Sequence, residues 1–142
     1  MKIVIVSTGA LIPDEPVGAI PESAVLRVLT ASSDQSNATD ALLVPLAAGP
    51  LSGAADWLYA HGQGNAVLRM LLRLSPLDRG ARFWRAVRKD PRVSGFLAAT
   101  DLLVAGDRDA NFACWQLARR TGVVAVSGYP AAERELASRR AA

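Results

Sequence analysis

The chain contains one cysteine and one histidine in 142 residues, and these shortages exclude several kinds of site. Cys114 has no partner for an internal disulfide and falls on the apolar stripe of a predicted helix, so we interpret it as a buried structural thiol rather than a nucleophile. His61 has no second histidine or cysteine cluster with which to bind a metal, so no metal site is predicted. We interpret His61 as a contact of the last carbonyl groups of a helix, in preference to a catalytic role.

Three motifs of catalytic and cofactor sites are also missing. There is no Gly-x-Gly-x-x-Gly and no Gly-Lys-Ser/Thr element, so neither a dinucleotide site nor a P-loop nucleotide site is predicted. No Gly-x-Ser-x-Gly turn is present to expose a nucleophilic serine. The sequence therefore predicts no cofactor and does not identify a self-sufficient enzyme.

Long apolar runs and large charge imbalances are absent as well. The apolar run at residues 2–6 is much too short for a signal-peptide core or a membrane span, so we expect a soluble cytoplasmic protein. The chain has 16 basic and 13 acidic residues, for a formal net charge of +3. This excess is too small to favour nucleic-acid binding. The hydrophobic share of 51% and the length are those of one domain with a substantial core.

Residues 101–126 form one predicted βαβ unit. Within the strand at 101–106, Leu102 to Ala105 are apolar without alternation, as in a strand buried on both faces. After a polar loop, apolar residues recur from Ala110 at i, i+3, i+4, i+7 and i+8, which indicates a helix, and Gly122 suits the left-handed position at its end. Residues 123–126 are the second strand. A parallel pair with so short a crossover belongs to an α/β sheet.

The rest of the chain supplies further short elements. Residues 22–32 fit either a helix or a strand, and we favour the helix. The other predicted elements are a strand at 2–8, a Pro-rich loop at 9–21, a polar break at 33–39, a strand at 42–46 weakened by Pro45, and helices at 53–61, 66–74, 79–89, 92–99 and from Pro130 to about 139. With three or four strands and five to seven helices, we predict a single Rossmann-like α/β domain over 1–142. It has a small parallel doubly wound sheet, helices on both faces and a helix-rich middle at 51–100.

Polar side chains follow three of the predicted strands, where a parallel sheet binds ligands. They are Ser7, Thr8 and Gly9 after the first strand, Asp107, Arg108 and Asp109 after the strand at 101–106, and Tyr129 after the last strand. In a doubly wound sheet the first two loops flank one crevice, so we predict substrate binding there, with Asp107 as the catalytic carboxylate. The alternatives are that Asp109 caps the next helix and that Asp107 only binds loop amides. Tyr129 either stacks on a ligand or closes a turn.

The predicted helix at 79–89 carries basic residues at helical spacing. They are Arg79, Arg82, Arg85, Arg88, Lys89 and, just beyond it, Arg92. We favour a solvated basic face over a site for phosphate, a sugar nucleotide or an anionic membrane. Trp57, Trp84 and Trp115 lie in predicted helices with apolar neighbours. We interpret them as packing residues rather than sugar platforms, the alternative being that one lines a groove or interface.

The sequence Asp-Leu-Leu-Val-Ala-Gly-Asp at 101–107, the helix ending Leu-Ala-Arg-Arg-Thr-Gly and the strand Val-Val-Ala-Val resemble the N-terminal domain of GT-B glycosyltransferases. The opening Lys-Ile-Val-Ile-Val-Ser-Thr-Gly also fits that family. The resemblance implies the acceptor-side half of a sugar-transfer enzyme or a catalytically silent relative, with a sugar or nucleotide-sugar ligand. The loop after the first strand is longer and richer in proline than in the family. No residues correspond to the donor half, so a separate donor-domain chain is the implied partner.

A second hypothesis does not depend on that resemblance. The helices predicted within 51–100 are numerous for so small a sheet. They favour, as the alternative, a stand-alone α/β binding or scaffold protein that forms a homodimer through them.

Overall fold

The computed structural model describes residues 1–9, 12, 24–33, 40–46, 53–54, 56–57, 66–67, 70, 75 and 78–141. Within these residues the chain forms five strands and four helices. The strands are β1 (Lys2–Ser7), β2 (Val25–Thr30), β3 (Ala41–Leu43), β4 (Leu102–Ala105) and β5 (Val124–Ser127). The helices are α1 (Arg79–Lys89), α2 (Arg92–Leu97), α3 (Ala110–Thr121) and α4 (Tyr129–Ala141).

All five strands are parallel and lie in the order β3-β2-β1-β4-β5. Ile5 of β1 is flanked by Val28 of β2 on one side and Val104 of β4 on the other. After β1 the chain adds β2 and then β3 on one side of it. It then crosses to the other side of β1, where it adds β4 and then β5. The point of reversal, between β1 and β4, is where such sheets open a crevice at their carboxyl edge. The prediction of a doubly wound α/β sheet is confirmed.

Two layers of apolar side chains sandwich the sheet. On one face Val4, Val6 and Leu103 pack with the buried residues of α1, α2 and α3. On the other face Ile3, Ile5, Leu102 and Val104 pack against α4. Every side chain of β4 is buried. The unbroken apolar pattern of β1 and β4 is therefore explained by burial on both faces.

The prediction of a helix at 22–32 is wrong, because these residues contain strand β2. Each residue of β2 pairs with a residue of β1, from Val25 beside Lys2 to Thr30 beside Ser7. The end of the strand, Val28–Thr30, is fully buried. Pairing with a central strand outweighs a weak local helix preference. This strand raises the count from the predicted three or four to five.

The other elements within the described residues agree with their predictions to within a few residues. The strand predicted at 42–46 is shorter and ends at Leu43, before Pro45, which has no N–H to donate to the ladder. Helix α3 ends as predicted, with Gly122 in the left-handed region (φ +73°) and its N–H donated to Ala118. The predicted loop at 9–21, the polar break at 33–39, the helices at 53–61 and 66–74, and His61 lie largely outside the described residues. Residues 53–54, 56–57, 66–67 and 70 have helical backbone.

Candidate functional site at the carboxyl edge of the sheet

The crevice between β1 and β4 is organised by the carboxylate of Asp107. Its Oδ2 accepts hydrogen bonds from the Ser7 hydroxyl (2.9 Å) and from the Thr8 backbone N–H (2.6 Å). Its Oδ1 accepts from the Thr8 hydroxyl (3.0 Å) and from the Ala110 backbone N–H (2.8 Å). A carboxylate offers about four lone-pair sites, so all of them are used. Asp107 therefore joins the end of β1 to the start of α3, and the predicted neighbours Ser7, Thr8 and Asp107 are in contact.

The cap of helix α3 is provided by a different residue from the one predicted. Asp109 occupies the position before the helix but makes no side-chain capping bond, because its backbone is already helical (φ −74°, ψ −23°). Asp107 instead accepts the Ala110 N–H and takes the capping role. The carboxylate of Asp109 is thereby left for other interactions at the crevice.

The start of helix α1 reaches the same crevice, which the sequence did not predict. Asp78 caps α1 by accepting the N–H of Ala81 (3.2 Å). A Cβ built on Gly80 would lie 2.5 Å from the backbone oxygen of Asp109, so α1 packs directly on the β4–α3 loop. A Cβ built on Gly9 (φ +136°) would lie 3.3 Å from a guanidinium nitrogen of Arg79. Three chain segments thus meet here: the loop after β1, the start of α1 and the loop after β4.

Two helix N-termini converge at this edge, and each is already occupied by a carboxylate of the chain. Asp78 caps α1 and Asp107 caps α3, in the positions where a bound anion would receive N–H groups. Burial, followed by the negative charges of Asp78 and Asp107, raises the pKa of Asp109 above its usual range, although Arg79 and Arg108 oppose this. The crevice is therefore a poor environment for a further negative charge, such as phosphate.

Asp109 gives a pH prediction. Because its pKa is raised in the folded state, the folded chain binds this proton more tightly than the unfolded chain. Its contribution to stability therefore falls as pH rises from the ordinary carboxyl pKa of about 3.9 through the raised value. We expect Asp109→Asn to unfold at a higher temperature than the parent at pH 7, with the gap closing towards pH 3. Glu133→Gln, which removes an exposed carboxylate on α4, is the matched control for the change of net charge.

Tyr129 places a polar group beside the crevice from the end of β5. Its hydroxyl oxygen is buried and has no hydrogen-bond partner among the described residues. A Cβ built on Gly106 would lie 3.0 Å from that oxygen, so the hydroxyl rests against the backbone that leads into Asp107. Burial and the charge of Asp107 raise the pKa of Tyr129, which keeps the hydroxyl protonated at neutral pH. The phenol is therefore a hydrogen-bonding group without a partner in the described part of the chain.

Other chemistries have less support in the described part of the chain. Within those residues, no cluster of three or more potential ligands could hold a metal ion. Burial raises the pKa of Cys114 to about 12, so its thiol is a poor nucleophile, in agreement with the prediction. A cavity of about 420 Å³ lies at the opposite edge of the sheet, and its lining includes Lys2, Arg27 and Asp40. There Arg27 is paired with Asp40 and donates to the Phe96 carbonyl (2.9 Å), and the Lys2 ammonium donates to the Ala98 carbonyl (2.7 Å), so these charged groups already have partners.

Comparison of the chain with protein-family models, with curated proteins and with solved structures gives no match in any of the three. None of the helices in the described residues is long and apolar enough to cross a bilayer.

Proposed function

We propose that the carboxyl-edge crevice binds a neutral, hydroxyl-rich ligand such as a sugar, and that the chain acts as a glycosyltransferase-like acceptor-side half or a catalytically silent relative of one. The observation that carries this proposal is the Asp107 network, which holds the loops after β1 and β4 together beside the unpartnered hydroxyl of Tyr129. The doubly wound topology supports it, because ligands of such sheets bind at this edge.

The hydrogen-bonding groups of the crevice suit hydroxyls better than phosphates. The Thr8 hydroxyl donates to Asp107, which leaves its oxygen able to accept a bond from a ligand. The phenol of Tyr129 can donate and accept. Asp109 adds an acceptor, whereas the helix N-terminal donors that would hold a phosphate are engaged by Asp78 and Asp107. A nucleotide sugar would on this proposal be held by a donor domain.

The proposal assigns Asp107 a positioning role in the first place. All of its lone pairs are engaged by the protein, so it has no free acceptor for a substrate hydroxyl in this arrangement. General-base action by Asp107 would require Ser7 or Thr8 to turn away from it. Asp109, whose pKa is raised and which makes no capping bond, is better placed to take up a proton.

Tyr129→Phe tests this proposal without disturbing the fold. Since the hydroxyl has no hydrogen-bond partner among the described residues, its removal is expected to leave the unfolding temperature unchanged or slightly higher. If the hydroxyl contacts ligand, affinity should fall about five- to tenfold. Binding of simple sugars, nucleoside diphosphates and nucleotide sugars would be measured by thermal shift and calorimetry. Ser94→Ala, which removes a hydroxyl that bonds only Pro91 on α2, is the control.

The expected pattern is stabilisation by a sugar, weakened in Tyr129→Phe and unchanged in Ser94→Ala. Stabilisation by a nucleoside diphosphate alone would contradict the acceptor-side assignment, because it would place the donor nucleotide on this chain. If the parent and Tyr129→Phe bind sugar equally well, the sugar does not bind in this crevice.

A second candidate function rests on exposed apolar residues in the middle of the chain. Trp57, Val67 and Met70 are each more than half exposed. Exposed residues of this size are typical of an interface, which favours the homodimeric scaffold as the alternative. Light scattering on the parent and on Trp57→Ser with Met70→Ser would test it. A dimer that dissociates in the double variant supports the scaffold, and a monomeric parent contradicts it.

A further inference from the structure

Helix α3 exposes two large aromatic side chains. Its buried stripe, which begins with Ala110, Ala113 and Cys114, faces the sheet, so Phe112 and Trp115 point outward. Phe112 is 44% exposed and Trp115 is 51% exposed, and their ring centroids are 6.3 Å apart. The interpretation of Trp115 as a packing residue is therefore wrong, although it holds for Trp84, which is buried in the core. The outer aromatic pair does not contribute to the core.

Four cations lie on α3 and on α1, the helix that packs against it. The Arg119 guanidinium lies 4.9 Å from the centre of the Trp115 ring. The Arg120 guanidinium lies 4.6 Å from the centre of the Trp84 ring, which links α3 to α1. Arg88, one turn after Trp84, and its neighbour Lys89 are exposed at the end of α1. These four cations and the two outer aromatics are called the basic aromatic patch; its members are Arg88, Lys89, Phe112, Trp115, Arg119 and Arg120.

No acidic residue occurs within either helix that builds the patch. Among the described residues, none of the four cations forms an ion pair with a carboxylate. Both helices thus carry cations but no carboxylates, and α3 also exposes two aromatic rings.

We propose that the basic aromatic patch docks the domain onto an anionic lipid surface. Aromatic side chains of this kind settle at the boundary between headgroups and acyl chains, and adjacent arginines and lysines bind anionic headgroups. The patch lies on the outer surfaces of two packed helices, from which the rings of Phe112 and Trp115 project. A nucleic acid would be attracted by the same cations, and its binding is the outcome of the test below that would contradict the lipid assignment. The lipid surface accounts for both the cations and the projecting rings.

Vesicle co-sedimentation tests the proposal on the full chain. We expect binding to phosphatidylcholine vesicles that contain phosphatidylglycerol and much weaker binding to phosphatidylcholine alone, with a loss at high salt. The charge variant Arg119→Glu with Arg120→Glu is expected to bind at least about tenfold more weakly. Its matched control is Arg134→Glu with Arg140→Glu on α4, on the other side of the sheet, which changes the net charge by the same amount.

The aromatic component is tested separately by Phe112→Ser with Trp115→Ser. Because both positions are exposed, we expect this variant to fold correctly, and circular dichroism would verify it. We expect this variant to lose vesicle binding. In the parent, tryptophan fluorescence should shift to the blue when vesicles are added, and this shift should be absent in Trp115→Phe. Equal loss in the α4 control would overturn the proposal. So would unchanged vesicle binding in the aromatic variant, or binding of the parent to a single-stranded oligonucleotide but not to vesicles.

Discussion

Asp107→Ala is expected to lower the free energy of unfolding by about 3–5 kcal/mol, a large share of the stability of a domain of this size. The substitution removes four hydrogen bonds to a charged acceptor and the cap of α3 in one step. Two of the donors, the hydroxyls of Ser7 and Thr8, belong to buried residues and would lose their acceptor. The cost of leaving buried donors without a partner exceeds the ordinary value of a surface hydrogen bond.

Asp107→Asn should be intermediate, with a loss of about 2–3 kcal/mol. Each carboxylate oxygen accepts from one hydroxyl and from one backbone N–H, that of Thr8 on Oδ2 and that of Ala110 on Oδ1. A hydroxyl can rotate to accept a bond, but a backbone N–H cannot. Whichever way the amide is turned, its NH₂ group therefore faces a donor.

Asp101→Ala is the matched control for both variants, since Asp101 precedes the same strand at its other end. Its carboxylate accepts one bond, from the Lys2 N–H (2.7 Å), and the residue is exposed, so about 1 kcal/mol or less should be lost. Urea unfolding followed by circular dichroism gives all three values. Similar small losses in Asp107→Ala and Asp101→Ala would show that the network does not hold the two loops together.

Much of the fold follows from local sequence patterns. The clear error in the predicted elements, the helix at 22–32, has a non-local cause. Strands β1 and β4 are apolar without alternation, and α3 has both its stripe and its terminal Gly122, so these elements were predicted with nearly correct bounds. Residues 22–32 carry a pattern that suits either state. Their strand form depends on the ladder with β1, and a window of local sequence holds no information about that partner.

Part of the candidate site could likewise be predicted from the sequence, and part depends on how distant elements pack. The proximity of Ser7, Thr8 and Asp107 could be predicted, because a doubly wound sheet brings the loops after its two central strands together. The part played by Asp78 and Gly80 could not, because it depends on where α1 packs. The sequence indicated a helix start near Asp78, but only the packed structure shows that this start touches Asp109. The sequence favours Asp109 as the cap of α3, but Asp107 caps it, because the backbone of Asp109 is already helical.

The contact of α1 with the crevice leads to the second prediction of a large effect. Gly80→Ala should lower the stability of the fold, although this type of substitution in a helix normally raises it. Replacing a glycine by alanine within a helix normally stabilises it by about 0.5–1 kcal/mol, because the unfolded chain loses more freedom with glycine. At Gly80 the added Cβ would lie 2.5 Å from the backbone oxygen of Asp109 and 3.1 Å from a carboxylate oxygen of Asp78. Neither the helix nor the loop can yield without losing packing. We expect Gly80→Ala to destabilise the domain by about 2–3 kcal/mol.

Gly95→Ala is the matched control because Gly95 also lies in a helix, α2, where an added Cβ meets no atom within 4 Å beyond its chain neighbours and the backbone of its own helix. It is expected to follow the ordinary rule and to stabilise by up to about 1 kcal/mol. If the unfolding temperature falls in Gly80→Ala and rises in Gly95→Ala, α1 packs directly on the β4–α3 loop. Because the clash lies beside Asp109, Gly80→Ala should also weaken sugar binding more than its loss of stability explains. Stabilisation by Gly80→Ala would instead mean that α1 stands away from the crevice, and Arg79 would then have no part in the site.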